Sequence, residues 1–524
     1  MLKKLINRTS TLKEAAAVLA VASLVSRLFG VVRDSVIASH YAGDISDAYL
    51  AAFVIPDFIF NLLILGALSS AFIPIFTGYL KRNGEGNDEA WALVNTLVNV
   101  GVVGLAVVLL GGVMAAPVLV KFVAPGFDPG KQEMVIMMMR IMFLSPLFFG
   151  LSNLAGGILN SFKNFLAYSL APILYNVGII VGAIYLVPMM GYIGLAYGVV
   201  LGALMHMLIQ LPGVFSLGYK YRMHIDFRHP ALKRMAVLMI PRTLGVGVVQ
   251  VNTIINTAIA STLAGGAVSV FKWADNLQSV PIGIFGVSFA VAVFPTLAEK
   301  YSLQKIGEFR EDVVAVLRQI SFFVIPSMML YWILRAQIVR LVLGYGAFDW
   351  EFTRFTVSTL AFFTFGMLAQ SVIHLLARSF YALHDTKTPL LVSLGVVLIN
   401  AGLAWELSRY WGVIGLAGAI SISATINAVV LFGLLAKRLG GMPWSEIFGY
   451  LGRVILASLG MGAVAYTMLR VVDLIVVTHT FVGILSQTLI TVLVAIFAYL
   501  AMAKLLALPE MQMIVGPIRR MVRK

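Results

Sequence analysis

The chain is a succession of apolar stretches, each long enough to cross a bilayer. Windows of about 20 apolar residues mark transmembrane helices. Fourteen are present: 15–41, 46–79, 90–122, 133–158, 165–189, 191–217, 233–262, 267–299, 310–341, 353–382, 388–410, 413–436, 446–471 and 481–507. Hydrocarbon offers no partner to backbone N–H and C=O groups, so spanning segments are helices or closed barrels, and windows of this length select helices. The expected fold is an all-α integral membrane protein with about 14 transmembrane helices. Pro56, Pro146, Pro281 and Pro326 lie inside windows and are expected to kink them. Composition agrees: 60% of the 524 residues are hydrophobic and 12% are charged, against about 25% charged in soluble domains. The absence of cysteine excludes disulfides and thiolate metal sites. The first window is too long for a cleavable signal peptide, and none is expected.

Loop charges set the orientation. Basic residues gather at the N-terminus, in alternate loops such as Lys81-Arg82, 219–234 and Lys437-Arg438, and at the C-terminus. The intervening loops 42–46, 189–191 and 263–267 carry no Lys or Arg. The positive-inside bias therefore puts both termini in the cytoplasm, consistent with an even helix count. It also accounts for the net charge of +15 without nucleic acid as a partner.

The chain repeats itself. Ala71-Phe72-Ile73-Pro74 recurs as Ala292-Val293-Phe294-Pro295, Phe127-Asp128 as Phe348-Asp349, and Ile193-Gly194-Leu195-Ala196 as Ile414-Gly415-Leu416-Ala417, each at an offset of 221. Six windows per repeat give both halves one orientation. Two six-helix lobes in parallel pseudo-repeat are expected, with the site between them. The organisation read from this is an N-lobe over 1–218, a basic amphipathic cytoplasmic linker over 219–232, a C-lobe over 233–438, and two further helices with a basic tail over 439–524.

Charges planted inside the apolar windows are the candidates for function. A charge at a helix centre costs roughly 2.5–3.5 kcal/mol, so such residues usually face a bundle interior or watery path. Mostly cationic charges suggest an anionic cargo. Arg27 and Arg33 lie six residues apart on one helix, about 120° apart in direction and about 9 Å apart in rise. They can line one wide cavity but cannot form one tight clamp. Guanidinium groups match phosphate geometry, so both are candidate diphosphate contacts. The competing reading is an interhelix ion pair, with Asp34 as the neighbour able to neutralise either. Asp47 begins the second window, where capping its own helix competes with a cavity role. Asp57, after Pro56, suits balancing a cavity arginine or binding a proton or cation. Lys272 and Asp275 are i,i+3 and able to neutralise each other. Arg242, after Pro241, is the preferred second-lobe anion contact. Arg378 is a cavity candidate or an inner-interface anchor, and Arg318 is expected to be an anchor.

Enzymatic motifs are missing: no His-Glu metal cluster, nucleophile elbow or phosphate-cradling loop appears. No catalytic residue, metal or cofactor is expected, and no segment is large enough for a nucleotide-binding domain. Transport would draw on the membrane potential, a monovalent cation gradient or consumption of the cargo.

Several pieces in order resemble the MurJ (MviN) family of lipid II flippases, within the multidrug/oligosaccharidyl-lipid/polysaccharide exporter superfamily. They include Ser26-Arg27 through Arg33-Asp34, Ser46-Asp47-Ala48-Tyr49, Gly66 through Pro74, Ala124-Pro125-Gly126-Phe127, Pro241-Arg242-Thr243-Leu244-Gly245, Gly283 through Pro295, and Arg378-Ser379-Phe380-Tyr381 with Asp385 through Pro389. The resemblance implies a cationic cavity, a hydrophobic groove formed with the last two helices, and undecaprenyl-diphosphate-linked disaccharide-pentapeptide as cargo. It maps the family's essential arginines to Arg27 and Arg33 and its early second-helix aspartate to Asp47. Three positions depart from the pattern: Phe60-Asn61 replaces a frequent basic pair, Leu65 a frequent acidic residue and Asn276 a frequent arginine.

The reading is an alternating-access flippase moving lipid II from the inner to the outer leaflet of the bacterial cytoplasmic membrane. Arg27, Arg33 and Arg242 would hold the diphosphate. Expected partners are the lipid-linked oligosaccharide, membrane lipids and, as a further class, peptidoglycan-synthesis or division machinery. The alternatives are another polyprenyl-linked glycan, a cation-coupled drug exporter and a polyprenyl-phosphate glycosyltransferase. The exporter predicts an acidic cavity and no need of the last two helices. The glycosyltransferase needs an acidic pair at a membrane face, for which Asp44 with Asp47 is the nearest approach.

Overall fold

The computed structural model describes residues 12–62, 69–82, 88–223, 225–226, 230–477 and 480–513; within them, the side chains at 12–17, 20, 69–71, 81–82, 233, 236, 238–242 and 244 are not described. Leu65 and the side chain of Arg242 thus lie outside the described residues.

All regular structure among the described residues is helical. The first repeat comprises α1 (Leu12–Tyr41), α2 (Asp44–Ile59), α3 (Ser69–Arg82), α4 (Asp88–Val123), α5 (Pro129–Met142), α6 (Ser145–Ser161), α7 (Phe165–Val181), α8 (Val187–Met190), α9 (Ile193–Leu208) and α10 (Leu211–Ser216). There follow α11 (Pro230–Ser261), α12 (Ala267–Pro281), α13 (Ser288–Ser302), α14 (Ile306–Val342), α15 (Trp350–Thr364), α16 (Met367–Ala382), α17 (Lys387–Trp411) and α18 (Val413–Arg438). The chain closes with α19 (Trp444–Asp473) and α20 (Phe481–Leu505). Among the described residues eleven helices are long and apolar enough to span a membrane, or twelve if α15 and α16, bent by 46°, form one span. The windows 15–41 and 233–262 are helical as α1 and α11 but fall outside that count.

The repeat is written into the backbone. Asp128 and Asp349 each occupy the N-cap of the following helix in extended conformation, accepting from Gly130 and Lys131 N–H and from Phe352 N–H respectively. Lys163 and His384, 221 apart, both take positive φ, 59° and 58°. Each ends a helix the same way, with Asn164 N–H on Leu159 O at 2.8 Å and Asp385 N–H on Phe380 O at 2.9 Å. These are the wide bonds that close a helix C-terminus once one residue turns left-handed.

Two compact units emerge, Met1–Ser269 and Val270–Lys524. The division falls after α11 and not at the expected 219–232 linker. The reason is packing: α11, first helix of the second repeat, lies against α2, α3 and α4 of the first unit.

In the first unit a core forms around Phe72, Phe76, Leu93, Ile158 and Leu159. Helices α7 and α9 approach to backbone contact. A Cβ on Gly178 would stand 2.3 Å from Gly202 Cα, and one on Gly182 2.4 Å from Gly198 Cα. A π-helical turn, Gly182–Leu186, follows α7. Nearby, the Ala183 carbonyl accepts the Tyr41 hydroxyl at 2.6 Å. The start of the linker, 219–223, has no regular secondary structure, and α4 straps it down. Asn95 Nδ2 donates to Lys220 O, Asn99 Nδ2 to Arg222 O, and the Tyr219 and Tyr221 hydroxyls donate back to Asn95 and Asn99. Burial, with Tyr221 adding to it, pushes the Tyr219 hydroxyl up to about 12.

In the second unit α19 and α20 dock on α14. The Tyr499 hydroxyl donates to Phe322 O at 2.7 Å, Tyr450 donates to Arg318 O, and Arg318 pairs with Glu446. Arg318 is therefore an interhelix tie. Asp385 holds the turn before α17 through the N–H groups of Lys387 and Thr388 and the Thr388 hydroxyl, and pairs with Arg438. Burial alone would raise its carboxyl, but these donors outweigh it and hold it below the usual carboxylate range.

Candidate functional site

Helix α1 places its two arginines in different surroundings. Arg27 is exposed and makes no ion pair or hydrogen bond among the described residues. Arg33 is committed. Its Nη2 and Nε donate to Asp34 Oδ1 at 2.7 and 2.9 Å, and Nη1 donates to Asn176 Oδ1 on α7 at 3.1 Å. Asn176 is held in turn by Pro172 O at 3.0 Å and Ser26 O at 3.4 Å. The paired reading of Arg33 and Asp34 is thus what the fold adopts. The guanidinium also ties α1 to α7, and of the two arginines only Arg27 remains uncommitted among the described residues.

Asp47 is 1% exposed and does not cap its own helix. Its carboxylate accepts from Gly266 N–H at 2.8 Å, Ser269 N–H at 2.8 Å and Ser269 Oγ–H at 2.7 Å. It thus caps α12, 219–222 residues away, placing negative charge on a positive helix end. Lys131, on α5, completes the cluster with Nζ at 2.8 Å from Asp47 and 2.9 Å from Asp44. It also lies 4.2 Å from the centre of the Phe127 ring. Beside it Gly126 N–H donates to Ser261 Oγ at 3.1 Å, where a Cβ would stand 2.4 Å from Thr262 Cα. Sequence reasoning passed over Lys131. The available signal was a lysine next to a loop that the charge pattern is expected to place outside, where the positive-inside bias disfavours one.

Asp57 is exposed to a cavity of about 220 Å³ inside the first unit, with Ser145, Tyr175 and His206 as the other polar residues on its wall. Phe60 and Phe149 close it, ring centres 4.7 Å apart. Asn61 Nδ2 donates to Asp57 O at 2.9 Å. The departure Phe60-Asn61 from the family's basic pair is therefore used to wall a pocket and to satisfy a backbone carbonyl. Tyr175 and His206 carried no signal in the sequence, because nothing local connects them to Asp57.

In the second unit Lys272 and Asp275 do not neutralise each other: no ion pair joins them among the described residues. Asp275 instead accepts from Gln278 Nε2 at 3.0 Å, and Gln278 Oε1 accepts from Gln370 at 3.2 Å. Lys272 and Arg378 are half-buried, the latter near Tyr381. Arg242 stands on α11, its side chain outside the described residues. No group of three or more metal-binding side chains is found among the described residues.

The family model for lipid II flippase MurJ matches residues 39–487. The chain belongs to the MurJ family. A MurJ lipid II flippase of Burkholderia cenocepacia is 32% identical over 79% of this chain and 82% of its own length. A probable MurJ flippase of Bdellovibrio bacteriovorus is 29% identical over 97% of both. The solved structure of a MurJ lipid II flippase in an inward closed conformation shares the fold, with TM-score 0.76 and 24% identity, over 93% of this chain and 98% of that one. An inward-facing MATE-family transporter of the MOP superfamily shares it more distantly, with TM-score 0.67 and 16% identity, over 81% of this chain and 98% of that one. MurJ membership makes the protein a multi-pass bacterial inner-membrane transporter and removes the glycosyltransferase reading.

Proposed function

We propose that this MurJ protein translocates lipid II from the inner to the outer leaflet by alternating access, with Arg27 as the principal contact of the α1 helix with the diphosphate. The observation that carries the assignment is the contrast on α1. Arg33 spends its donors on Asp34 and Asn176, while Arg27 keeps its planar fork for a ligand. Arg33 then acts as a positioning residue that fixes α1 against α7, and Arg242 is assigned a supporting contact from α11. The Asp47–Lys131 cluster is read as the outer lock that holds the start of α12 in this state. A potential of 100 mV acts on each charge with about 2.3 kcal/mol, so an inside-negative membrane favours outward movement of an anionic headgroup. The polyprenyl tail is assigned to lipid beside α19 and α20. The deciding experiment combines rescue of a flippase-depleted strain by this chain with a lipid II translocation assay in that strain. Rescue with lipid II reaching the outer leaflet is expected; accumulation of unflipped lipid II would reject the assignment.

Cytoplasmic termini complete the reading, and cysteine labelling tests them cleanly, because the native chain has no cysteine. Met189, Leu474, Met223 and Leu303 are all well exposed, at 81%, 88%, 88% and 57%. In intact cells an impermeant thiol reagent should label Met189→Cys and Leu474→Cys. Met223→Cys and Leu303→Cys should react only after lysis. The reverse pattern would invert the protein in the membrane and with it the direction of transport.

A further inference from the structure

Three neighbouring spans of the second unit are broken, and each break is treated alike. Pro281 closes α12 and opens the π-turn Ile282–Val287, ahead of α13. Pro326 stands inside α14. α15 and α16 meet at a bend of 46° about Phe365 and Gly366.

Each break leaves a carbonyl without its helical donor. Proline has no N–H, so Leu277 O and Phe322 O, one turn before Pro281 and Pro326, lose theirs. At the bend Gly366 N–H turns to Phe363 O at 3.0 Å and leaves Phe362 O. In every case a hydroxyl from another helix takes the vacated place. Tyr331 of α14 donates to Leu277 O at 3.2 Å, Tyr499 of α20 to Phe322 O at 2.7 Å, and Ser421 of α18 to Phe362 O at 2.8 Å.

The breaks follow the border of a core. The core takes in Ile282 and Leu297 after the first break, Leu317 and Val324 before the second, and Met367 and Phe380 after the third. Among the described residues, no buried side chain of α12, of α15 or of α14 beyond Pro326 belongs to it. Those pieces pack on one another instead. The Phe271 ring of α12 lies 5.6 Å from Phe363 of α15, and Trp273 lies 5.6 Å from Phe348, just before α15. Trp332 of α14 lies 5.0 Å from Phe365 at the bend.

We propose that α12, α15 and the part of α14 beyond Pro326 move as one block against this core during transport, with the three breaks as hinges. The proposal rests on the flippase reading for the cargo and adds the moving part of the second unit.

The reason is energetic. Bending an intact buried helix breaks a backbone hydrogen bond and strands a carbonyl. Here the helical bond is already missing, and the carbonyl is held by a hydroxyl on a rotatable side chain that can follow a change of angle. Switching proteins place such changes at a few residues that end elements, and π-turns gather at functional sites. The offset of 221 places two of the breaks again in the first unit, at the π-turn Phe60–Leu62 and between α5 and α6. The breaks are thus part of the repeat.

The first pivot is pinned to α16: a Cβ on Gly286 would stand 2.7 Å from Ser371 Cα. Next to it, the bond from Gln370 of α16 to the fully buried Gln278 of α12, 3.2 Å, crosses the joint. It can act as a catch. The core side is tied by apolar packing and by Lys300 of α13 on Asp312 of α14 at 2.8 Å.

The test uses the full chain, whose lack of cysteine lets pairs be introduced cleanly. Gln278→Cys with Gln370→Cys, joined by a short reducible thiol crosslinker, ties the block to the core. Lys300→Cys with Asp312→Cys ties α13 to α14 within the core. In liposomes loaded with lipid II, the first link should stop flipping and reductant should restore it. The second should leave flipping unchanged. Flipping that survives the first link, or that stops equally with both, would overturn the moving block. A second readout does not need transport. Nitroxide labels on Glu351→Cys and Tyr381→Cys, exposed near the far ends of α15 and α16, span the bend. Labels on Glu311→Cys, exposed near the start of α14, and Tyr381→Cys both ride on the core. Spin–spin distances in solubilised protein should be spread more widely for the first pair than for the second. Equal spreads would overturn the hinges. A native chain that flips nothing would overturn the flippase reading, and the distance comparison would still decide the hinges.

Discussion

Arg27→Ala is expected to abolish rescue of a flippase-depleted strain while the protein still reaches the membrane in normal amount. Arg27 is exposed and makes no bond among the described residues, so its removal breaks nothing that folds α1. What is lost is the ligand contact. Charge-assisted hydrogen bonds are worth about 1.5–3 kcal/mol each, so losing even one lowers lipid II translocation roughly tenfold to a hundredfold. Arg27→Lys should recover only part, because a point charge replaces a bidentate fork. Arg33→Ala should behave differently. It removes the donors to Asp34 and the tie from α1 to Asn176 on α7, so abundance and thermal stability fall together with activity. Measured rescue, membrane abundance and translocation for the three variants separate the roles. Full activity of Arg27→Ala would remove the central assignment.

Asp47→Ala is expected to be the most destabilising single change in the first unit. It removes the cap of α12 and leaves Lys131, 7% exposed, with Asp44, which is 75% exposed, as its remaining ion-pair partner. Removing one partner of a buried pair typically costs about 3–5 kcal/mol. Lys131→Met should cost less, because the Asp47 carboxylate keeps three donors from Gly266 and Ser269. Asp47→Asn should fall between them, and adding Lys131→Met to it should restore part of the loss, since the double variant no longer buries an ammonium that has lost its buried carboxylate and keeps only the exposed Asp44. Apparent melting temperatures of the detergent-solubilised variants give the order, and rescue should fail for Asp47→Ala. If Asp47→Ala and Lys131→Met both melt with the native protein, the cluster neither locks nor caps.

Much of this was legible in the sequence. Apolar windows of bilayer length imposed helices, because hydrocarbon leaves the backbone no other way to satisfy its polar groups. The offset of 221 reappeared as matching helix caps and left-handed turns, because such positions demand particular residue types that survive in the letters. The charges at membrane depth were found for the same reason: their cost makes them conspicuous. What each charge does was not legible. Arg27 and Arg33 read alike along the chain, yet Asn176, 143 residues further on, makes one a tie and leaves the other open. Asp47 looked like the cap of its own helix and is the cap of another. Asp57 found an imidazole from position 206 across a cavity. Periodicity and hydropathy are properties of neighbours in the chain, so the sequence by itself determined the helices, their repeat and the membrane as solvent. Pairing is a property of neighbours in space, so only the tertiary structure decided that Arg33, Asp47 and Lys131 are spent on holding the fold while Arg27 is not.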